Sequence, residues 1–250
     1  MFDTARASKN RLSVFVLAVC LLPLLALGSA WEFSESTSAT SLLSNLLLRD
    51  NLHVVTENEF YRSAQMNKEN LRQTLLDHGI RTIVDLRRGT VTVGDSALTE
   101  SDFAADLGIN YYRVPLNSRK APTIERVEAL LAILRRAEKP ILVHCSSGTH
   151  RTGFASLLWL LELKQLSLEI ALRQLSLRYG YSAWERRLKA AISKAEILDD
   201  SVLRFAEEHR RSGIDFPSWA AENLPSEEDP DVLETLKSLQ GGLDSDSNVT

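Results

Sequence analysis

The residues best equipped for chemistry lie together in PILVHCSSGTHRTGFASLLWLLEL, from Pro140 to Leu163. His144 and Cys145 end an apolar run, and Arg151 follows Cys145 by six positions. A strand ending there delivers the thiol to the carboxyl edge of a sheet, where open α/β sheets bind ligands. SSGTH then makes a short loop with Gly148 for backbone freedom, and Arg151-Thr152-Gly153 opens a helix. Such a loop turns successive N–H groups inward at a helix N-terminus, whose dipole favours an anion. A phosphate-shaped dianion fits, gripped through two oxygens by the Arg151 fork. The same field lowers the thiol pKa from ~8.5 toward ~3.5–7.5, which makes Cys145 a thiolate nucleophile. Thr152 can donate a hydroxyl hydrogen bond to the sulfur, and His144 can hold the loop through its ring. A lone cysteine at a strand end is most often a small buried hydrophobe. Combined with Arg151, His144, Gly148, Thr152, the strand before and the helix after, coincidence falls to about 1%.

The elements that must position this segment alternate in kind. LHVV and EFYRS read as two short strands joined by a turn at Glu57-Asn58. Asn67 N-caps a helix over KENLRQTLLDHG, with Leu71, Leu75 and Leu76 on one face and Gly79 as the stop. IRTIVDLR is a buried strand, apolar and too short for a helix. TESDFAADLG is a helix capped by Thr99, with Asp102 in the capping-box position. INYYRVPL is a strand, TIERVEALLAILRRAEK a strongly amphipathic helix, and PILVH the next strand. After the loop come helices over RTGFASLLWLLEL, SLEIALRQLSLRYG and SAWERRLKAAISKAE, with further helical text to about Asn223. This order predicts an α/β fold: a small central sheet of four to five mainly parallel strands flanked by helices, with a C-terminal helical run. Trp159, Trp184 and Trp219 fall in helical stretches and read as packing residues, while Arg186, Arg187 and Lys189 read as a solvated basic face.

The chain has 250 residues, 44% of them hydrophobic, enough for a full core in one principal domain. Its net charge of −4 and pI near 5.8 give no reason to expect nucleic acid as a partner. Residues 1–30 read as a signal peptide or membrane anchor: Arg6, Lys9 and Arg11 precede a run without charge from Leu12 to Ala30. Either way the charge order sends the remainder of the chain across the membrane, into the periplasm or outside, and an uncleaved segment would make the membrane a partner. Residues 31–50 are a Ser/Thr-rich linker, 51–223 the catalytic-sized domain, and 224–250 an acidic, disordered tail. Cys20 lies in the apolar segment, so the exported part holds a single thiol and no intramolecular disulfide. No convincing metal cluster is visible.

HCSSGTHRTG resembles the His-Cys-x5-Arg-Ser/Thr signature of cysteine-dependent protein tyrosine and dual-specificity phosphatases. NLHVVTENEFYRSAQMNKENL, GIRTIVDLR, GINYYRVPL and ALRQLSLRYG are similar to successive segments of the small bacterial dual-specificity-like type, including exported or membrane-anchored members. The resemblance spans about residues 51–182. It implies a phosphatase-like fold and hydrolysis of phosphorylated proteins, tyrosine-phosphorylated ones first, through a phosphocysteine on Cys145. Arg151 and the amides of Ser146, Ser147, Gly148, Thr149, His150 and Arg151 would hold the phosphate oxygens, with no metal and no cofactor. The family's acid is usually an aspartate on the loop after the strand preceding the long helix. Here that loop, PLNSRKAPT, has no carboxylate. Some relatives place the acid just before the arginine, which makes His150 a candidate; Asp95 and Asp102 are others, and Asp85 reads as structural. Aryl phosphates tolerate a missing acid better than alkyl phosphates do. Two alternatives stand beside this reading: a phospholipid or inositol-phosphate phosphatase, disfavoured by the absence of lysine from SSGTH, and a non-catalytic phosphate-binding module.

Overall fold

Strands β1 (His53–Thr56), β2 (Phe60–Ser63), β3 (Thr82–Asp85), β4 (Asn110–Arg113) and β5 (Ile141–His144) form one sheet in the order β1-β2-β5-β3-β4. The computed structural model describes residues 49–89, 92–93, 98–182, 186–187, 196–227, 229–230, 232–234 and 237. β1 and β2 are the antiparallel hairpin expected from the sequence, with Asn58 at φ 57° in its turn. The remaining pairings are parallel, and their register sets Ser63, His144, Asp85 and Arg113 side by side at the carboxyl edge. The residue after β5 is Cys145, so the sheet carries the thiol to the edge where it was expected.

Side chains alternate between two apolar layers, as a sheet covered on both faces requires. Phe60, Val84, Ile141 and Val143 face one layer with α3 (Ile124–Arg136), α4 (His150–Leu158), α6 (Leu198–Ser212) and α7 (Phe216–Asn223). Tyr61, Ile83 and Leu142 face the other, against α1 (Lys68–Asp77) and α2 (Glu100–Asp106). Each large apolar side chain fully buried this way contributes ~1.5–3 kcal/mol. Trp159 and Trp219 are core residues, as expected; Trp159 stacks on Phe60 with centroids 4.9 Å apart and donates from Nε1 to Thr56 Oγ1 at 2.9 Å. Trp184 and Lys189 lie outside the described residues, and Arg186 pairs with Asp200 at 2.7 Å.

Both expected N-caps form: Asn67 Oδ1 accepts from the Asn70 amide at 2.7 Å, and Thr99 Oγ1 from the Asp102 amide at 3.1 Å. Three local expectations need correction. Leu76 is 66% exposed, because the buried stripe of α1 runs through Leu71, Thr74 and Leu75 and the next position turns outward. The helix expected over 167–180 is a short α5 (Leu168–Leu172) followed by a 3-10 turn, Leu177–Tyr179, that ends at Gly180 with φ 79°. The chain between them presses onto α4 at Gly153, where a Cβ would meet Leu175 Cδ2 at 2.6 Å. The acidic stretch after residue 223 is not solvated throughout: Val232 is buried, and Asp229 pairs with Arg126 of α3 at 2.7 Å. Beyond its end at Leu158, α4 continues as a π-helical turn, Trp159–Leu163. Among the described residues no helix is long and apolar enough to cross a membrane; the apolar segment within residues 1–30 lies outside them.

Candidate active site

Residues 145–149 connect β5 to α4, and every carbonyl from Ser146 to Thr149 is held from outside the turn. The Gln65 amide donates to Ser146 O at 3.2 Å, and Asn51 Nδ2 to Ser147 O at 3.0 Å. Arg62 Nη2 donates to Gly148 O at 2.6 Å and to Thr149 O at 3.5 Å, and the Gly153 amide also reaches Thr149 O, at 2.9 Å. A planar trans peptide points its N–H opposite to its C=O. With four successive carbonyls tied outward, the amides of Ser147, Gly148, Thr149 and His150 converge on the other side, a nest for an anion. Only glycine serves at 148: φ is +69°, and a Cβ would lie 2.7 Å from the backbone of Ser63 and Ala64.

Arg62 is the residue that sequence reasoning passed over. It is fully buried on β2, and its Nη1 also donates to Gln174 O and Oε1 at 2.9 and 2.8 Å. Its guanidinium lies 3.9 Å from the centre of the Tyr179 ring. Burial pulls its pKa down to about 10, against the favourable pull of Tyr179 and Cys145, so it remains a cation beneath the loop. Asn51 ties the same assembly together, donating also to Tyr179 O at 3.0 Å. A charged residue inside the apolar pattern of EFYRS was the available signal, because a buried arginine must find acceptors.

Cys145 is 1% exposed. Burial pushes its thiol pKa up, but Arg151, the Thr152 hydroxyl and amide, and the Gly148 amide outweigh it and bring the value to about 6. Thr152 Oγ1 is buried and bonds to nothing else among the described residues, which leaves the thiolate as its acceptor. Arg151 Nη2 donates to Ser146 Oγ at 3.2 Å and Nη1 reaches Leu86 O at 3.5 Å, so its fork is held over the loop. Cys145, the 146–149 loop and the Arg151 fork therefore lie together at the carboxyl edge of the sheet.

His144 is buried, and burial, with the charge of Arg87, lowers its pKa to about 4 against the opposing pull of Asp85; it is neutral at physiological pH. Its Nε2 lies 2.9 Å from Glu100 Oε1, off the direction of a ring N–H bond. Glu100 opens α2 and bonds Arg87, which also holds both oxygens of Asp85 at 2.9 Å; Tyr111 donates to Asp85 as well, at 2.9 Å. Asp85 is held below the usual carboxylate range: burial opposes, and His144 and Arg87 prevail. It is the structural residue the sequence suggested. Ligand-type atoms of Asp85, Glu100 and His144 lie within 4.8 Å of one another, but the cation between the carboxylates is the Arg87 guanidinium.

The acid candidates fare differently. His150 is 3% exposed, and its Nδ1 lies 2.6 Å from Asp199 Oδ2 of α6. An acid must reach the leaving oxygen at the mouth of the pocket; the His150 ring is instead buried and engaged by Asp199. Asp102 is exposed and accepts from Thr99 Oγ1 at 2.6 Å, within its own capping box. Asp95 lies outside the described residues.

A family model described as "DSP-PTPase phosphatase fused to NAD+ Kinase" matches residues 45–187. NAD kinase 2, chloroplastic, of Arabidopsis thaliana is 31% identical over 157 residues, which cover 61% of this chain and 16% of that protein. The chain thus spans about a sixth of that relative's length. Similar solved structures include P. aeruginosa TpbA (19% identity, 58% of this chain and 84% of that one, TM-score 0.45) and PTPMT1 in complex with PI(5)P (16%, 58% and 96%, 0.46). Tk-PTP in its active form is similar too, at 21% identity over 57% of this chain and 95% of that one, TM-score 0.44. With more than half of its length matched by that model, the chain belongs to the family of dual-specificity-like protein tyrosine phosphatase domains described as fused to NAD+ kinase.

Proposed function

We propose that this chain hydrolyses phosphotyrosine in proteins, with dual specificity as its outer range, through a phosphocysteine on Cys145. The observation that carries the reading is the loop with four carbonyls tied outward around a thiol whose pKa is about 6. At neutral pH the sulfur is an anion facing a nest built for a second anion, and Arg151, the loop amides, the Thr152 hydroxyl and the Arg62 cation offset the repulsion. In the first step the thiolate attacks phosphorus, the S–P bond forms and the P–O bond to the tyrosyl oxygen breaks. The oxyanion departs with its electron pair and takes a proton from solvent. In the second, water attacks phosphorus, the S–P bond breaks, and thiolate and inorganic phosphate are released. Arg151 and the amides stabilise the equatorial oxygens in both steps.

Of the aspartates weighed as acids, Asp85 is locked to Arg87 and Asp102 to its own cap, which supports a leaving oxygen that departs without an acid. A phenolate, with conjugate-acid pKa ~10, leaves unaided far more readily than an alkoxide, whose conjugate acid is near water at ~15.7. Phosphotyrosine is therefore the preferred substrate. The charge order of residues 6–35 supports export, with the catalytic domain outside the cytoplasm and either a cleaved leader or a membrane anchor. The test is phosphate release by the full chain from phosphotyrosine peptide, phosphoserine peptide and phosphoinositide in detergent micelles. Phosphotyrosine turnover exceeding phosphoserine turnover by a factor of ten or more supports the reading. Equal rates on the two peptides, or turnover confined to micelles, would overturn it.

A further inference from the structure

α6 begins beyond residue 187, where the family model's match ends, yet its first turn enters the catalytic loop. Asp199 is 1% exposed, and its Oδ2 meets His150 Nδ1 at 2.6 Å, while Oδ1 has no hydrogen-bond partner among the described residues. A buried carboxylate with half of its capacity unused is costly, and it persists where a partner holds it. That partner is the first residue of α4, directly before Arg151 in the chain. The Tyr181 ring closes the other side, its centroid 5.2 Å from that of His150. Leu198, Val202 and Phe205 fasten α6 into the core, so the carboxylate is presented from a fixed element. The next residue, Asp200, turns away and pairs with Arg186 at 2.7 Å.

We propose that Asp199 is a positioning residue of the phosphate loop: through His150 it sets the backbone from which Arg151 and the His150 amide meet the phosphate. The C-terminal helical run is then part of the active site. This inference rests on reading residues 144–152 as the site. It differs from a general-acid role for His150, because it acts on phosphate binding as well as on turnover.

Calorimetric binding of inorganic phosphate to the full chain tests it, comparing wild type with Asp199→Asn, His150→Gln, the double variant and Asp200→Asn. Displacements of an ångström at a reacting centre cost about 10²-fold. Asp199→Asn is expected to weaken phosphate binding at least ten-fold, and kcat/KM for an aryl phosphate falls in parallel. Asp200→Asn stays within two-fold of wild type. The double variant is no weaker than the poorer single variant, as two members of one contact require. Wild-type affinity in Asp199→Asn, or single effects that multiply in the double variant, would overturn the proposal. Should Asp199→Asn fail to fold, His150→Gln reports on the same contact from the loop side, with the same ten-fold expectation. Intact phosphate binding without any turnover in wild type would count against the proposed function and leave this inference standing.

Discussion

Replacing Thr152 with valine isolates one of the interactions that make Cys145 nucleophilic. The hydroxyl is buried, has no other described partner, and is among the groups that bring the thiol to about 6. Valine keeps the branched shape and the backbone amide, so only the O–H donor is lost. A hydrogen bond to a charged acceptor contributes ~1.5–3 kcal/mol, and one pKa unit corresponds to ~1.4 kcal/mol, so the thiol pKa rises by about 1–2 units. At pH 6 the thiolate fraction then drops from about one half to between a tenth and a hundredth. The assay is the pH dependence of Cys145 alkylation by iodoacetamide, followed by mass spectrometry. Its midpoint is the readout, because a more basic thiolate is also intrinsically more reactive, which raises the high-pH plateau. A midpoint near 7–8 is expected in Thr152→Val. A midpoint within about 0.3 units of wild type would refute the reasoning, since Arg151 and the amides alone would then hold the thiolate.

Other perturbations test the surrounding construction. Gly148→Ala places a Cβ 2.7 Å from the Ser63 and Ala64 backbone at φ +69°; kcat/KM should fall by about 10² or more, and wild-type rates would show that the loop relaxes freely. Arg62→Lys cannot serve four acceptors with one ammonium and leaves carbonyls unsatisfied at ~1–3 kcal/mol each. A loss of about 3–5 kcal/mol, or roughly 6–20 °C in Tm, is expected, and a Tm within about 2 °C of wild type would contradict it. The thiol also links stability to pH. Its folded pKa of about 6 is below the ordinary 9.0, so its contribution is full above 9 and is lost as pH falls through 6. The stability of wild type minus that of Cys145→Ser should therefore grow by up to ~4 kcal/mol between those limits, and parallel denaturation profiles would exclude a depressed thiol.

The features legible in the sequence and those hidden from it divide along sequence distance. Strand periodicity, the caps at Asn67 and Thr99, and the His-Cys-x5-Arg loop are short-range patterns, and each forms where its spacing indicates. The supports of the loop are long-range. Asn51 reaches Ser147 across 96 positions, Arg62 reaches Gly148 across 86, and Asp199 reaches His150 across 49. No local period encodes such a partner. For the same reason His150 looked available as an acid: its neighbours in sequence are visible, whereas the carboxylate that engages it arrives with α6. The break after α5 is likewise set by contact, since the notch at Gly153 admits Leu175 only when the two segments already pack.

The central claim is that Cys145 carries the phosphoryl group between substrate and water. Rapid acid quench of the full chain during turnover of a phosphotyrosine peptide, with mass spectrometry of the peptide holding Cys145, tests it directly. A phosphoryl adduct on Cys145 is expected during turnover, with neither adduct nor phosphate release in Cys145→Ser. Phosphate release from Cys145→Ser at the wild-type rate, with no adduct on the wild-type thiol, would contradict it.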